Sequence, residues 1–199
     1  MSEKNSSIEM IKLGLILAIF AAVSCTVLAL VNSVTSVRIA ANKIAKANAA
    51  MKIVMAQADD FEPVENFAAS ENSSIKIMSV YSAKKDGKTI GAVAQINGPT
   101  YDRGTVMIGI KTDGTITGVQ FLELSDSPGF GLKANDPTFK LPNGKTFYGQ
   151  FEGKNAKDGF KAGSTFDAIS GATITSVGVA ALLEEGTKSM FRYFEGGAK

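Results

Sequence analysis

Hydrophobic and polar positions change rhythm along the chain. From Leu13 to Val31 there is no charged residue, and Leu, Ile, Ala and Val dominate. At 1.5 Å per residue this stretch reaches roughly 28 Å, about the depth of a bilayer's hydrocarbon core. A run that is apolar on every face fits a buried soluble helix poorly, so the pattern predicts a transmembrane helix over 13–31, after a short segment over 1–12. A cleaved signal peptide would have a shorter core of ~7–15 residues and a small-residue cleavage site. Ala22-Val23-Ser24-Cys25 loosely resembles a lipoprotein cleavage box. It lacks the Leu-like residue three places before the Cys, and the apolar run continues past it. The segment is therefore read as a retained anchor, with Cys25 as a small packing residue.

The next segment, Asn32 to Gln57, is rich in Ala, Lys and Asn. Apolar or small residues recur at Val37, Ala41, Ile44, Ala47, Met51 and Met55, in steps of three and four. That spacing predicts one face of a helix. We expect it to pack on its own domain, with a partner-facing helix as the alternative. Asp59 to Ser74 is polar, contains Pro63 and reads as a connection. Together 32–74 form a helical stalk and linker.

Then the period shortens to two. Ile75 to Ala83 and Thr89 to Ile96 read as strands around Lys85-Asp86-Gly87-Lys88. Asp-Gly between β-rich runs signals a hairpin, because both turn residues tolerate positive φ. Thr105 to Lys111 and Thr115 to Leu124 repeat the pattern around Asp113-Gly114. Val106, Ile108 and Ile110 alternate with Met107, Gly109 and Lys111, as in a half-buried strand. Two consecutive hairpins imply an antiparallel sheet. Ser125 to Asn135 is a loop, and Asp136 to Asp158 is expected to form short strands or irregular structure. From Ser176 to Phe194 the helical period returns at Val179, Leu183, Thr187, Met190 and Phe194. Thr175 or Ser176 can supply the N-cap, and Gly196-Gly197 the stop. The fold class is α+β: one N-terminal transmembrane helix, then a domain over 75–199 with an antiparallel sheet and a C-terminal helix.

Composition narrows the chemistry. The chain has 199 residues, enough for one domain and an appendage. Its 21 basic and 19 acidic residues leave +2, which gives no electrostatic reason for a nucleic-acid partner. With no His, Ser–His–Asp and Cys–His catalysis are excluded, as are His-based zinc sites. One Cys allows no internal disulfide, zinc ribbon or iron–sulfur cluster built from this chain alone. Redox or transfer chemistry must then come from a borrowed cofactor or a partner. Lys4 and Lys12 precede the span, and Arg38, Lys43, Lys46 and Lys52 follow it. Counted literally, the positive-inside rule puts the large domain in the cytoplasm.

Two segments carry candidate chemistry. Asp167-Ala168-Ile169-Ser170-Gly171-Ala172-Thr173-Ile174-Thr175-Ser176 offers hydroxyls, a carboxylate and two small residues at a helix entry. A helix N-terminus presents unpaired N–H groups and partial positive charge, which suits a phosphate. An ordinary hydroxyl-rich capping loop has the same composition. Asp126-Ser127-Pro128-Gly129-Phe130-Gly131 has glycines that allow close backbone approach to a ligand, or simply a turn.

Asp167-x-x-Ser170-Gly171-Ala172-Thr173 resembles the flavinylation motif of the FMN-binding domain family. Five specified positions in that order arise by chance in roughly one in a few thousand chains of this length. Gly98 to Asn135 is similar to the family's first half, whose loop usually reads Glu-Thr-Pro-Gly-Leu-Gly. Here Phe130 replaces the aliphatic residue. The likeness covers roughly Ile75 to Phe194. With one N-terminal span, the chain looks most like the family of G subunits of Rnf electron transport complexes. The C subunits of sodium-translocating NADH:quinone reductases are similar but usually longer.

The resemblance implies a cofactor, partners and roles. Thr173 would carry FMN covalently as a phosphoester, attached by a separate flavin transferase that uses FAD and Mg²⁺. Asp167, Ser170, Gly171 and Ala172 would complete the transferase's recognition sequence. Thr175 and Ser176 would hydrogen-bond the phosphate, and Ser127, Pro128, Gly129 and Gly131 would line the isoalloxazine side. No metal site and no acid–base catalyst is implied. The partners would be membrane lipid, the transferase and the other integral and peripheral subunits of an Rnf complex. Such a complex passes electrons between ferredoxin and NAD and couples this to Na⁺ or H⁺ movement. The family's flavin domain lies outside the cytoplasm, and we side with it against the close charge count. A stand-alone membrane-anchored flavin domain serving another reductase, and a non-redox interaction module, are the alternatives.

Overall fold

The computed structural model describes residues 3–196, with side chains from 8 to 196. The Lys4 side chain and Gly197 lie outside that range. Two compact units divide between Ala45 and Lys46. The first unit is helical, and its Leu, Ile, Val and Phe side chains between Ile8 and Ile44 are exposed. They belong to helix α1, Glu3–Val54, which is long and apolar enough to cross a membrane. Thr26 and Thr35 return their hydroxyls to the carbonyls of Ala22 and Val31, each at 2.8 Å. This satisfies polar groups that a bilayer could not.

The second unit opens with the last turns of α1. Strands β1 (Asp60–Pro63), β2 (Lys76–Lys85), β3 (Lys88–Gly98), β4 (Gly104–Lys111) and β5 (Ile116–Leu124) follow. They pair in chain order as one antiparallel sheet. Helix α2, Thr173–Glu195, closes the domain, with Gly196 at its C-cap. At the β2–β3 turn Asp86 and Gly87 take φ of 49° and 74°, as the two-residue hairpin requires. The β4–β5 turn works otherwise. Only Gly114 takes positive φ, while Asp113 accepts a hydrogen bond from the Thr115 amide at 2.8 Å.

Three expectations need correcting. The connection over 59–74 contains β1, an edge strand of four residues paired with β2. β4 is buried on both faces, not half-buried. Val106, Ile108 and Ile110 face one core, while Met107 faces a second core made by Ala50, Met51, Val54 and Met55. The apolar stripe of the stalk divides accordingly: Val37, Ala41 and Ile44 are exposed, and only its last turns pack on the sheet. Thr117 donates a short hydrogen bond to the Val54 carbonyl and Lys46 donates one to the Leu122 carbonyl, fixing those turns. Asp136 to Asp158 is irregular, with one 3₁₀ turn at Ala156–Asp158.

Candidate functional site

The site is built where α2 begins. Thr173 is the first helical residue, and the preceding Ala172 offers no capping hydrogen bond. The expected cap at Thr175 or Ser176 is therefore corrected. Both lie inside the first turn, buried, with hydroxyls in use within the protein. Ser176 donates to the Ala172 carbonyl at 2.9 Å and accepts from the Ile169 amide at 3.0 Å. Thr175 donates to Asp126 Oδ2 at 2.6 Å. A helix start without a side-chain cap leaves N–H groups for water or an anion.

The segment leading into that start alternates between anchored and displayed residues. Ile169 and Ala172 are buried, whereas Asp167, Ser170 and Thr173 are exposed. The Asp167 backbone is clamped by buried Gln150, which accepts from its amide at 2.7 Å and donates to its carbonyl at 3.1 Å. Its carboxylate accepts from Asn143 at 2.8 Å. Gly171 turns the chain with φ of 78°, a conformation that a side chain would strain.

Asp126 joins three segments. Its carboxylate accepts from Thr100 Oγ1 and Thr175 Oγ1, both at 2.6 Å, and from the amides of Asp102 at 2.9 Å and Tyr101 at 3.3 Å. Burial pushes its pKa up. The Thr100 and Thr175 hydroxyls, then the two amides, outweigh burial and hold the carboxyl below the usual range. Gly131 packs directly against this junction: a Cβ there would lie 2.5 Å from Asp126 Cβ and 2.6 Å from Thr175 Oγ1. Only glycine lets the loop come that close to the start of α2.

A cleft of about 440 Å³ opens beside Thr173, with Tyr101, Ser127, Phe130, Gly131, Ala172 and Ile174 among its walls. Gly171, Thr173 and Thr175 complete the lining. Asp167, Ser170, Ser176, Pro128 and Gly129 are not among the lining residues. Sequence reasoning missed the apolar surface of Tyr101 and Ile174 and the junction at Asp126. Tyr101 and Ile174 are 64% and 62% exposed, and no periodicity marks them because they sit at a turn and in a first helical turn. Asp126 was visible as a loop acid, but its four partners lie 24 or more residues away in sequence.

Two family models match the chain. One describes an RnfG N-terminal region and matches residues 1–54; the other describes an FMN-binding domain and matches residues 101–188. The chain is 34% identical over 186 residues to the G subunit of the Na(+)-translocating ferredoxin:NAD(+) oxidoreductase complex of Acetobacterium woodii, covering 84% of this chain and 85% of that protein. The chain belongs to the family of Rnf-complex G subunits. Other members include the G subunits of the ion-translocating oxidoreductase complexes of Methanosarcina acetivorans and Pseudomonas aeruginosa. The first is 30% identical over 180 residues, covering 88% of this chain and 91% of its own. The second is 27% identical over 197 residues, covering 94% and 89%.

As a member of this family, the chain has an FMN-binding domain that contains the cleft, Asp126 and the start of α2. Its long apolar α1 is consistent with a single-pass membrane anchor. The residues present fit FMN: an uncapped helix start suits a phosphate, and Tyr101, Phe130 and Ile174 offer apolar walls to a flat ring.

Proposed function

We propose that this chain is a flavoprotein subunit that carries FMN on Thr173 through a phosphoester. It relays electrons within an ion-translocating ferredoxin:NAD oxidoreductase complex of the Rnf type. The observation that carries the reading is the exposed Thr173 at the first position of a helix with no side-chain cap. Its hydroxyl is a poor nucleophile at neutral pH, so an external flavin transferase activates it. In that transfer Thr173 Oγ bonds to the flavin-side phosphorus of FAD and the pyrophosphate bridge breaks. AMP departs, and the hydroxyl proton passes to a base on the transferase.

Asp167 and Ser170 are exposed, as Thr173 is, so the transferase can reach all three. Gly171 and Ala172 keep the approach free of bulk. Thr175 and Ser176 serve the phosphate by fixing the backbone whose amides meet it. Ser127 and Gly131 line the ring side, and Pro128 and Gly129 shape the turn between them. Bound FMN supplies the electron chemistry, and the protein sets its position and electrostatics. α1 anchors the chain in the membrane, with the flavin domain outside the cytoplasm and the other Rnf subunits as partners.

The test is the intact mass of the full chain coexpressed with its flavin transferase, beside Thr173→Ala. Wild type should gain the mass of FMN less water, and the variant should gain nothing. Because Thr173 is exposed, the variant's stability should stay within about 0.5 kcal/mol of wild type. An unmodified wild type, with the transferase active on a control substrate, would sink the reading.

A further inference from the structure

We propose that Asp126 is a tuning residue whose fixed negative charge lowers the reduction potential of the flavin at this site. The inference rests on FMN being attached at Thr173, as proposed above. Asp126 is 4% exposed and lies directly behind the cleft wall formed by Gly131 and Thr175. All four of its hydrogen-bond donors are neutral: two hydroxyls and two amides. They hold the carboxylate in its charged form without cancelling the charge. The guanidinium of nearby Arg103 is directed to Asn97 at 3.0 Å, and the Lys133 ammonium lies 5.3 Å from the centre of the Phe139 ring. Asp102, which donates its amide to Asp126, adds a second negative side chain.

Opposing this charge is the start of α2, whose amides carry partial positive charge. The helix start favours an anionic phosphate and added electrons alike, whereas Asp126 disfavours added electrons. The carboxylate thus lets the site hold a phosphate without also making the flavin a strong electron sink. Over about 10 Å at an effective dielectric near 20, a unit charge shifts an equilibrium by roughly tenfold.

The test is a spectroelectrochemical titration of the flavinylated full chain in detergent, for wild type, Asp126→Asn and Thr100→Val. Intact mass first establishes the adduct in each. Asp126→Asn keeps the shape and removes the charge. At a fixed applied potential its ratio of reduced to oxidised flavin should rise roughly tenfold. Thr100→Val disturbs the same network but keeps the charge, and its ratio should stay at the wild-type value. An unchanged ratio in Asp126→Asn overturns the inference, and so does an equal rise in both variants. If Asp126→Asn does not fold, Asp126→Ser is read in its place. Failure of both to give folded, flavinylated protein makes the residue purely structural and also overturns it. A wild type without adduct would instead defeat the function proposed above.

Discussion

The two faces of the sheet are closed in different ways. On one face α2 packs Val179, Leu182 and Leu183 against Ile96, Val106 and Ile108, with Phe147, Phe151 and Phe166 extending the same core. These three rings stack edge to face or tilted at 5.5–6.2 Å. On the other face the last turns of α1 contribute Ala50, Met51 and Val54 to a smaller core with Ala83, Val93, Met107 and Leu122. That face closes by backbone approach. A Cβ at Gly109 would lie 2.7 Å from the Val54 carbonyl oxygen, and one at Gly118 would lie 3.1 Å from Val54 Cα. The helix that bears the candidate site is thus held largely by side-chain volume, with one backbone approach where a Cβ at Gly178 would lie 2.6 Å from Thr100 Cα, and the last turns of α1 are held by proximity. Ile169, Ala172 and Val179 pack into that core on either side of the exposed Thr173.

The largest effect should come from the voluminous face. Phe147→Ala, at a fully buried position, should cost about 3–5 kcal/mol in a denaturant titration. A loss below about 1 kcal/mol would mean that this core does not support α2.

Glycine substitutions sharpen the contrast. Gly109→Ala drives a methyl group into the Val54 carbonyl oxygen and Thr117 Oγ1 and should cost about 1–3 kcal/mol. Gly186→Ala, in α2, meets the Ile96 side chain at 2.5 and 2.8 Å, where rotation can relieve the contact. It also gains helix propensity of about 1 kcal/mol. It should therefore cost less than Gly109→Ala when the two are compared by Tm. The reverse order would break the distinction between the faces.

A smaller effect is expected from pH. Asp126 and Glu185, both on the α2 side, have pKa values held below 3.8 and 4.5. For Glu185, burial pushes the value up, and hydrogen bonds from Ser70, Lys188 and the Glu71 amide outweigh it. A carboxyl depressed on folding stabilises fully above its unfolded value and loses that contribution as pH falls through the folded one. Tm should be flat with respect to these groups from pH 8 to 6 and fall below about pH 4.5. Asp126→Asn should show a shallower fall, and an equal slope would separate Asp126 from acid stability. The least effect belongs to the edge. Glu62→Gln removes the ion pair with Lys84 at 2.6 Å, where Glu62 is half exposed, and should change stability by less than about 1 kcal/mol.

Local chemistry made much of this fold legible. Four strands, two hairpins and the C-terminal helix follow from period, Asp-Gly turns and the spacing of Val179, Leu183 and Met190. The motif ending at Thr173 points to the family that the relatives show and to the candidate site. What eluded the pattern depends on distant partners. β1 has four residues, one of them a Pro, and exists only because β2 offers an edge. Met107 sits at a position that alternation assigns to solvent, and only the end of α1 makes it core. Thr175 and Ser176 look like caps because hydroxyls commonly cap. Their actual bonds depend on Asp126 and on the Ile169–Ala172 turn. Tyr101 joins the cleft only because Asp126 holds the turn at Thr100–Asp102 beside α2.

The first turn of α2 takes its shape from Asp126 and from the core beneath it, and Thr173 stands outside both. If Thr173 carries FMN as proposed above, maturation can be ordered in time. The polypeptide can finish folding with its acceptor still bare, wait for an enzyme to visit, and accept its prosthetic group as a late addition to a completed object. Loss of the group would return it to a folded, silent form ready to be loaded again.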